Sequence, residues 1–566
     1  MEKNGNYLQL ELKEQDRGSM VTTALRTPRE VFEQQNVQTP YPIVAANYCN
    51  QVVSLNHELT KNGPLVPVHL GTTDGALIAR RTLIFLLYVA VRELFPALHL
   101  RVSHSLDYGY FVQLFMRTPN NPEGDEVQIS PKDLKTIETR MRLLIAEDLP
   151  IERQYMSLAA AQEYFREAGN PDKAELMEYT DKEMISLYSL RGFSNHFYGL
   201  LSPTTAGVTA FEIKGLAQGL NLRFARTAKP TEIPPNHAGR KIFNVLKEHD
   251  EWMRILNFHS VARLNRLIKN KKVREYILIA EALQEKRLAR IADEIIQHPR
   301  KPKIVLLAGP SASGKTTSTK KLSIQLRVVG KNPVVIEMDN FFVDRDKTPK
   351  DEFGEYDFES FETIDRPKLQ DCVERLLMGE EVQIPRFNFK EGRSEPGEFL
   401  KLPDDAILIL EGIHGLNTEL LPTIPDGMTY KIYVSPMTHL SIDDHNRISS
   451  SDARLLRRLV RDIDARGHSP LETISRWPSV RRGEERNIFP YQENADAIFN
   501  SALPYEIAAL KPYALEALKN ITEDHPEMAE AARLISFLSY FLTLDSDCIP
   551  QHSLLREFIG GSCFNY

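Results

Sequence analysis

The chain has 566 residues, which at about 150 residues per domain suggests three or four domains. Apolar residues make up 42% and charged residues 26%, ordinary shares for a folded chain, so wholesale disorder is not expected. Seventy basic against 77 acidic residues give a net charge of −7. That argues against bulk affinity for nucleic acid, while a local basic patch stays open.

The longest strongly apolar run, Thr82–Val91, is about ten residues long, against the ~20 that a membrane helix needs. No membrane span is expected. The opening MEKNGNYLQLELKEQ has no basic stretch leading into an apolar one, so no secretory signal is read there. Cys49, Cys372, Cys548 and Cys563 are scattered without a CxxC, which predicts neither a disulfide framework nor a zinc knuckle. A reducing cytoplasm fits this usage.

The pattern divides the chain at 1–70, 71–230, 231–299, 300–510 and 511–566. In the first unit YLQLELKE alternates like a strand. TPREVFEQQ reads as a helix capped by Thr27, with Pro28 in its first turn. PIVAANYCNQVVSL and PLVPVHL are β-rich. The second unit opens with DGALIARRTLIFLLYVAVRELFP, a helix ended by Pro96. Strands are predicted at LHLRVSHSL, YGYFVQLFM, VTAFEIK and LNLRFART. A helical, charge-rich middle is expected between them, from Pro131 to about Tyr188. The third unit, rich in charge, reads as an amphipathic helical connector packed on a neighbour. The fourth alternates strand and helix signals, the mark of a parallel α/β sheet. The last is helical and ends in FIGGSCFNY, a tail that offers no chemistry of its own.

Chemistry enters at KPKIVLLAGPSASGKTTSTKK. A buried-strand run, Ile304–Leu307, leads into GxxxxGKT with a helix after it. Glycines let backbone wrap close to phosphates, and the following helix offers its positive end to an anion. The candidate phosphate-binding residues are Gly309, Ser311, Ala312, Ser313, Gly314, Lys315, Thr316 and Thr317. Lys315 can reach the β- and γ-phosphates of ATP, and the Thr316 hydroxyl can bind Mg²⁺.

Two acids follow at strand ends. VVIEMDNFF ends a strand at Asp339, where a carboxylate can take a proton from an acceptor hydroxyl or hold a metal. DAILILEGIHGL ends a second strand at Glu411, suited to Mg²⁺. In DARLLRRLVRDIDARG, Arg454, Arg458 and Arg461 share a helix face, with Arg457 beside it. Guanidiniums over a γ-phosphate would neutralise charge during phosphoryl transfer.

The order GPSASGKTT (309–317), MDNFF (338–342), YDFESFETID (356–365), IPRFNF (384–389), LEGIHGL (410–416) and RLLRRLVRDIDARG (454–467) resembles the uridine kinase and phosphoribulokinase family of P-loop kinases. The resemblance covers about 200 residues. It implies Asp339 as catalytic base, Glu411 as a Mg²⁺ helper, and a lid over ATP made of Arg454, Arg457, Arg458 and Arg461. The substrate side departs from the family. An FDHP motif, whose Asp binds ribose hydroxyls, is replaced by FESF, so Glu359 takes that place, with Asp357 its rival if the loop shifts. Phe387 stands at the Tyr position of the family's PxYDF. A nearby His is replaced around Gly392-Arg393.

The N-terminal half resembles threonyl-tRNA synthetases. The likeness is carried by residues 40 to about 115, where IVAANYCNQVVSLNHEL looks like the end of a TGS domain, a β-grasp module, which makes 1–70 the TGS-like unit. GALIARRTLIFLLYVAVRELFPALHLRVSHSLDYGYF and HFYGLLSPTTAGVTAFEIKG look like parts of the synthetase's additional domain, which edits mischarged tRNA. Its HxxxH positions fall here at Arg81 and Phe85, and its later Cys/His pair at Phe197 and Leu201. No ligand set for editing remains. His104 and His196 read as structural residues, and the half as a structural or regulatory module. RNA binding and self-association stay open.

The sequence therefore predicts an α/β P-loop kinase domain, a parallel sheet with helices on both faces, joined to α+β N-terminal domains. The expected activity is ATP- and Mg²⁺-dependent transfer to the 5′-hydroxyl of a nucleoside. One alternative is another small alcohol or a phospho-pentose, for which Arg393, Arg481 and Arg482 could bind a second anion. A second alternative is an RNA-binding or ATP-sensing regulatory protein.

Overall fold

The computed structural model describes residues 8–14, 17–118, 121–180, 182–235, 239–256, 258–463 and 467–566. Strands β1 (Leu8–Glu14), β2 (Arg17–Thr23), β3 (Ile43–Tyr48), β4 (Gln51–Val53) and β5 (Gly63–His69) form one mixed sheet, ordered β2-β1-β5-β3-β4. Helix α1 (Pro28–Gln34) starts at a Thr27–Glu30 capping box, which satisfies two otherwise orphan N–H groups.

Helix α2 (Thr73–Leu94) carries the apolar run seen in the sequence. Leu83, Phe85, Leu86 and Leu87 on it are completely buried, each contributing about 1.5–3 kcal/mol. It packs on the sheet that contains β6 (Leu98–Leu106), β7 (Gly109–Thr118) and β8 (Asn121–Glu126), completed by later strands. Helix α3 (Pro131–Ala146) follows, but the expected helical middle is not wholly helical. β9 (Glu152–Ser157), α4 (Leu158–Glu167), α5 (Pro171–Leu176), β10 (Met184–Leu190) and β11 (Phe193–Asn195) interleave there, with sheet order β11-β10-β9. β9 is an edge strand whose residues are mostly exposed, so it shows no apolar alternation to read. β12 (Phe211–Leu216) and β13 (Gly219–Phe224) complete the larger sheet in the order β12-β13-β7-β6.

Helices α6 (Arg240–Ile255), α7 (Val261–Lys269) and α8 (Val273–Gln297) occupy the expected connector. Ile277, Leu288 and Ile291 of α8 belong to the largest apolar core, which also covers the parallel sheet. That sheet is made of β14 (Ile304–Ala308), β15 (Asn332–Glu337), β18 (Ala406–Gly412), β19 (Thr429–Ser435) and β20 (Ala497–Asn500), ordered β15-β18-β14-β19-β20 and parallel throughout. Helices α9 (Lys315–Val328) and α10 (Arg366–Leu377) pack against it, and the hairpin β16 (Val382–Asn388) and β17 (Arg393–Leu400) projects beside it. Helix α8 lies along α9, where the fully buried Lys321 pairs with Glu285 at 2.7 Å.

Among the described residues, five helices close the fold: α11 (Ser450–Arg461), α12 (Pro470–Asn487), α13 (Glu506–Leu518), α14 (Met528–Leu538) and α15 (Arg556–Ile559). No described helix is long and apolar enough to cross a membrane.

The two halves share a buried ionic junction. Asp444, in the loop before α11, accepts from Arg101 at 2.9 Å and from Arg117 at 2.5 Å. Its carbonyl accepts the Val102 N–H at 2.7 Å. Asp443 pairs with the buried Lys173 at 3.2 Å.

Candidate active site

The carboxyl ends of β14, β15 and β18 lie side by side, because Leu307 is in register with Glu411 and Glu411 with Glu337. Ligand crevices of open parallel sheets form at such ends. The phosphate loop, residues 309–316, joins β14 to α9. Ala312 (φ +57°) and Gly314 (φ +83°) both take left-handed backbone, wrapping the loop tightly. Gly309 sits so close to β19 that a Cβ there would lie 2.0 Å from the Val434 carbonyl oxygen.

The loop is braced from behind. Arg454 donates to Ser311 O at 3.2 Å and, through Nη2, to Glu484 Oε2 at 2.7 Å. Arg457, completely buried, reaches Ala312 O at 3.5 Å and Ser313 O at 3.4 Å, and is ion-paired with Glu506. Ser501 Oγ donates to Ser313 O at 2.5 Å. Arg458 Nη1 reaches Ser311 Oγ at 3.2 Å, and Arg461 pairs with Asp462 at 2.7 Å. Arg454, Arg457 and Arg458 thus meet the loop, whereas Arg461 is held by Asp462, and Arg454 and Arg457 are not a lid. These two lie under the loop, held by buried acids and loop carbonyls. The resemblance implied a lid of all four, whereas Glu484 and Glu506 draw the Arg454 and Arg457 side chains inward.

On the open side, Thr316 Oγ1 donates to Glu411 Oε2 at 3.3 Å. Glu411 is buried, and burial pushes its carboxyl up to about 7; the Lys315 charge works against this and Asp339 with it. Lys315 Nζ lies 3.5 Å from Pro310 O. Asp339 sits in a single 3₁₀ turn directly after β15. Thr316 and Glu411 together offer oxygen donors suited to a hard divalent cation.

The acceptor side is built from residues 356–365 and the β16–β17 hairpin. Glu359 is half-buried, with Oε2 enclosed and without a hydrogen-bond partner. Burial pushes its carboxyl up to about 7, reinforced by Glu484, while Arg458 and Lys315 pull it down. Those influences place Glu359 at the phosphate loop. Asp357 Oδ1 accepts the Glu359 N–H at 3.2 Å, so it shapes the turn beneath Glu359. Gly483 of α12 packs on this turn; a Cβ there would lie 2.4 Å from the Glu359 Cβ. Phe387 is buried in T-shaped contact with Phe342 and Phe389, at 5.8 and 5.1 Å. Its N–H donates to Asn340 Oδ1 at 3.2 Å, tying it to the turn that carries Asp339.

Arg393 is not brought into this cluster. It stands exposed on β17, paired with Glu391 and Glu395. Arg481 and Arg482 are committed to Glu484 at 2.9 Å and Asp351 at 2.8 Å.

Besides Ser501 and Glu506, two further site residues lay outside the sequence reading. Glu484 gathers Arg454, Arg481 and the Ser311 N–H, 3.3 Å from Oε1. Burial opposes its ionisation, but the two arginines outweigh it and hold its carboxyl low. The one signal was an acid amid the arginines of SVRRGEER. His414, inside LEGIHGL, reaches Ser360 O at 3.2 Å and bridges the strand end to the acceptor loop. Burial pushes its imidazole down to about 4, so it is neutral near pH 7.

In the N-terminal half, the positions of the editing motifs are filled. Phe85 meets Phe197 edge-on at 5.8 Å, Leu201 is buried, and Arg81 donates to Leu200 O at 2.9 Å. His196 is locked between Ser186 O and the Tyr540 hydroxyl, at 2.9 and 3.0 Å. His104 is buried and stacks on Phe111.

Comparison with known proteins fits this division. Residues 304–508 match the model of the Phosphoribulokinase / Uridine kinase family. A threonine--tRNA ligase of Methylococcus capsulatus is 30% identical over 175 residues, covering 31% of this chain and 26% of that protein. Uridine kinase-like protein 5 of Arabidopsis thaliana is 30% identical over 200 residues, covering 35% of this chain and 39% of that protein. Uridine-cytidine kinase B of Dictyostelium discoideum is 28% identical over 202 residues, covering 36% and 75%. The chain spans about a quarter to two fifths of the length of the first curated relatives it matches. Residues 304–508 are a P-loop kinase domain of the phosphoribulokinase and uridine kinase type. The chain joins that domain to an N-terminal region similar to threonine--tRNA ligases.

Proposed function

We propose that this protein transfers the γ-phosphoryl group of ATP to the 5′-hydroxyl of a nucleoside in the cytoplasm. The observation that carries the reading is the meeting of Thr316 and Glu411 at 3.3 Å, with Asp339 at the neighbouring strand end and Glu359 across from the loop. This is one phosphate-binding loop and one pair of cation donors, with the two acids Asp339 and Glu359 beside them.

Asp339 accepts the proton of the acceptor hydroxyl as that oxygen bonds to the γ-phosphorus. The bond from the γ-phosphorus to the β–γ bridging oxygen breaks, and ADP leaves. Lys315 and Arg458 meet the phosphate charge. Arg454 and Arg457 act through the loop whose carbonyls they hold. Bound Mg²⁺, held by Thr316 and Glu411, would neutralise charge between the phosphates. Glu359, with Asp357 shaping its turn, is poised for sugar hydroxyls, and the Phe387 ring is the apolar wall for a base. Positioning and preorganised charge supply most of the rate.

A nucleoside is preferred to a phospho-pentose because the arginines that could bind a second anion are all ion-paired. The Asp444 junction with Arg101 and Arg117 supports a structural or regulatory role for the N-terminal half. The test is ADP release from Mg·ATP across a panel of nucleosides, ribulose 5-phosphate and pantothenate. Turnover with a nucleoside is expected. Turnover with ribulose 5-phosphate or pantothenate alone, or silence from folded protein that binds ATP, would overturn the reading.

A further inference from the structure

Residues 553–566 lie outside the stretch that matches the kinase family, yet they return to the phosphate loop. Glu557 on α15 places Oε2 2.5 Å from the Thr317 hydroxyl and 3.3 Å from the Thr317 N–H, accepting from both. The Tyr566 hydroxyl lies 2.9 Å from the same Thr317 Oγ1. The Lys320 ammonium sits 5.7 Å from the centre of the Tyr566 ring. Leu554 closes over Gly314, where a Cβ would come within 2.7 Å of its Cδ2.

Thr317 is the third residue of α9, and its N–H belongs to the first-turn donors that have no partner within the helix. Those donors, at the positive end of the helix dipole, are where a P-loop receives nucleotide phosphate. Here a carboxylate from the same chain holds one of them. Glu557 also adds a negative charge to a site that already contains Glu411 and Asp339. We propose that Glu557 is an autoinhibitory latch, a carboxylate that occupies the place of a nucleotide phosphate and must lift before a nucleoside di- or triphosphate binds fully. Leu554, Leu555 and Phe558 around Glu557 are buried in the core, so the lifting is a rotation of the Glu557 side chain away from Thr317 with the following tail, not a detachment of α15. α15 is four residues long, and Gly560 (φ +79°) and Gly561 (φ +70°) follow it in conformations that other residues rarely adopt.

This inference rests on the nucleotide-binding reading of the loop, and the test separates the two. ADP binding is titrated calorimetrically with the full chain and with Glu557→Gln, which keeps the shape and removes the charge. The latch predicts about tenfold tighter ADP binding by the variant, the worth of a charge-assisted hydrogen bond. Equal or weaker binding by a folded variant, with normal binding by the wild type, overturns the latch alone. Binding by neither overturns the nucleotide reading and the latch with it. Should the variant fail to fold, hydrogen exchange on the wild type decides. The latch predicts that ADP lowers amide protection over residues 560–566; unchanged or raised protection contradicts it.

Discussion

Arg454 and Glu484 meet as a buried pair directly behind the phosphate loop. Glu484 Oε2 accepts from Arg454 Nη2 at 2.7 Å, and its other oxygen accepts the Ser311 N–H at 3.3 Å. One carboxylate thereby fixes both an arginine and the loop that the arginine braces. Removing it strands a buried guanidinium, a loss of about 3–5 kcal/mol for a broken buried pair. Glu484→Ala should show that loss in urea unfolding. A change below about 1 kcal/mol would mean that the pair does not organise the site.

Asp339→Asn removes the proposed base and leaves the phosphate loop untouched. The expected result is a fall in kcat of about 10²–10⁴, with ADP affinity unchanged in calorimetry. Near-normal turnover would exclude Asp339 from proton transfer.

Glu411 gives a pH signature. Its carboxyl, pushed up to about 7 by burial, holds a proton across the range where an unfolded Glu is already ionised. Its contribution to stability is therefore full below the ordinary value of 4.5 and is lost as pH rises through about 7. A cation needs the ionised form, so Mg²⁺ affinity should rise from pH 6 to pH 8. Glu411→Gln should bind Mg²⁺ weakly and with a flat profile, as followed by Mg²⁺ dependence of ADP binding. An equally steep profile in the variant would remove Glu411 from the cation site.

Asp444 has the opposite sign. Burial opposes its ionisation, but Arg101 and Arg117 outweigh burial and hold its carboxyl far below the usual carboxylate range. Its contribution is present above the ordinary value of 3.8 and fades as pH falls below it. Asp444→Asn should cost about 3–5 kcal/mol near pH 7 by removing the carboxylate charge that faces two largely buried arginines, with the deficit shrinking towards pH 3 in denaturant titrations. A pH-independent deficit would contradict the electrostatic account of the junction.

Much of the fold was legible because its signals are local. The helix start at Thr27 and Pro28, the apolar run of α2 and the strand–loop–helix around Lys315 each fit within a few turns of chain. The strand-end acids Asp339 and Glu411 were legible for the same reason. What the sequence hid was long-range. The buried partners of Arg454 and Arg457 come from α12 and α13, too far along the chain for the pairing to show in the helix that carries the arginines. The exposed strand β9 carries no periodicity. The tail FIGGSCFNY gave no chemistry because Tyr566 finds Thr317 only across 249 residues.

The central claim is phosphoryl transfer to a nucleoside 5′-hydroxyl. The most direct measurement is mass spectrometry and ³¹P NMR of the product formed from Mg·ATP and a nucleoside mixture, by wild type and by Asp339→Asn. The account predicts a nucleoside 5′-monophosphate from the wild type, in stoichiometry with ADP, and almost none from the variant. ADP accompanied only by inorganic phosphate, or phosphate on an acceptor other than a nucleoside, would contradict it.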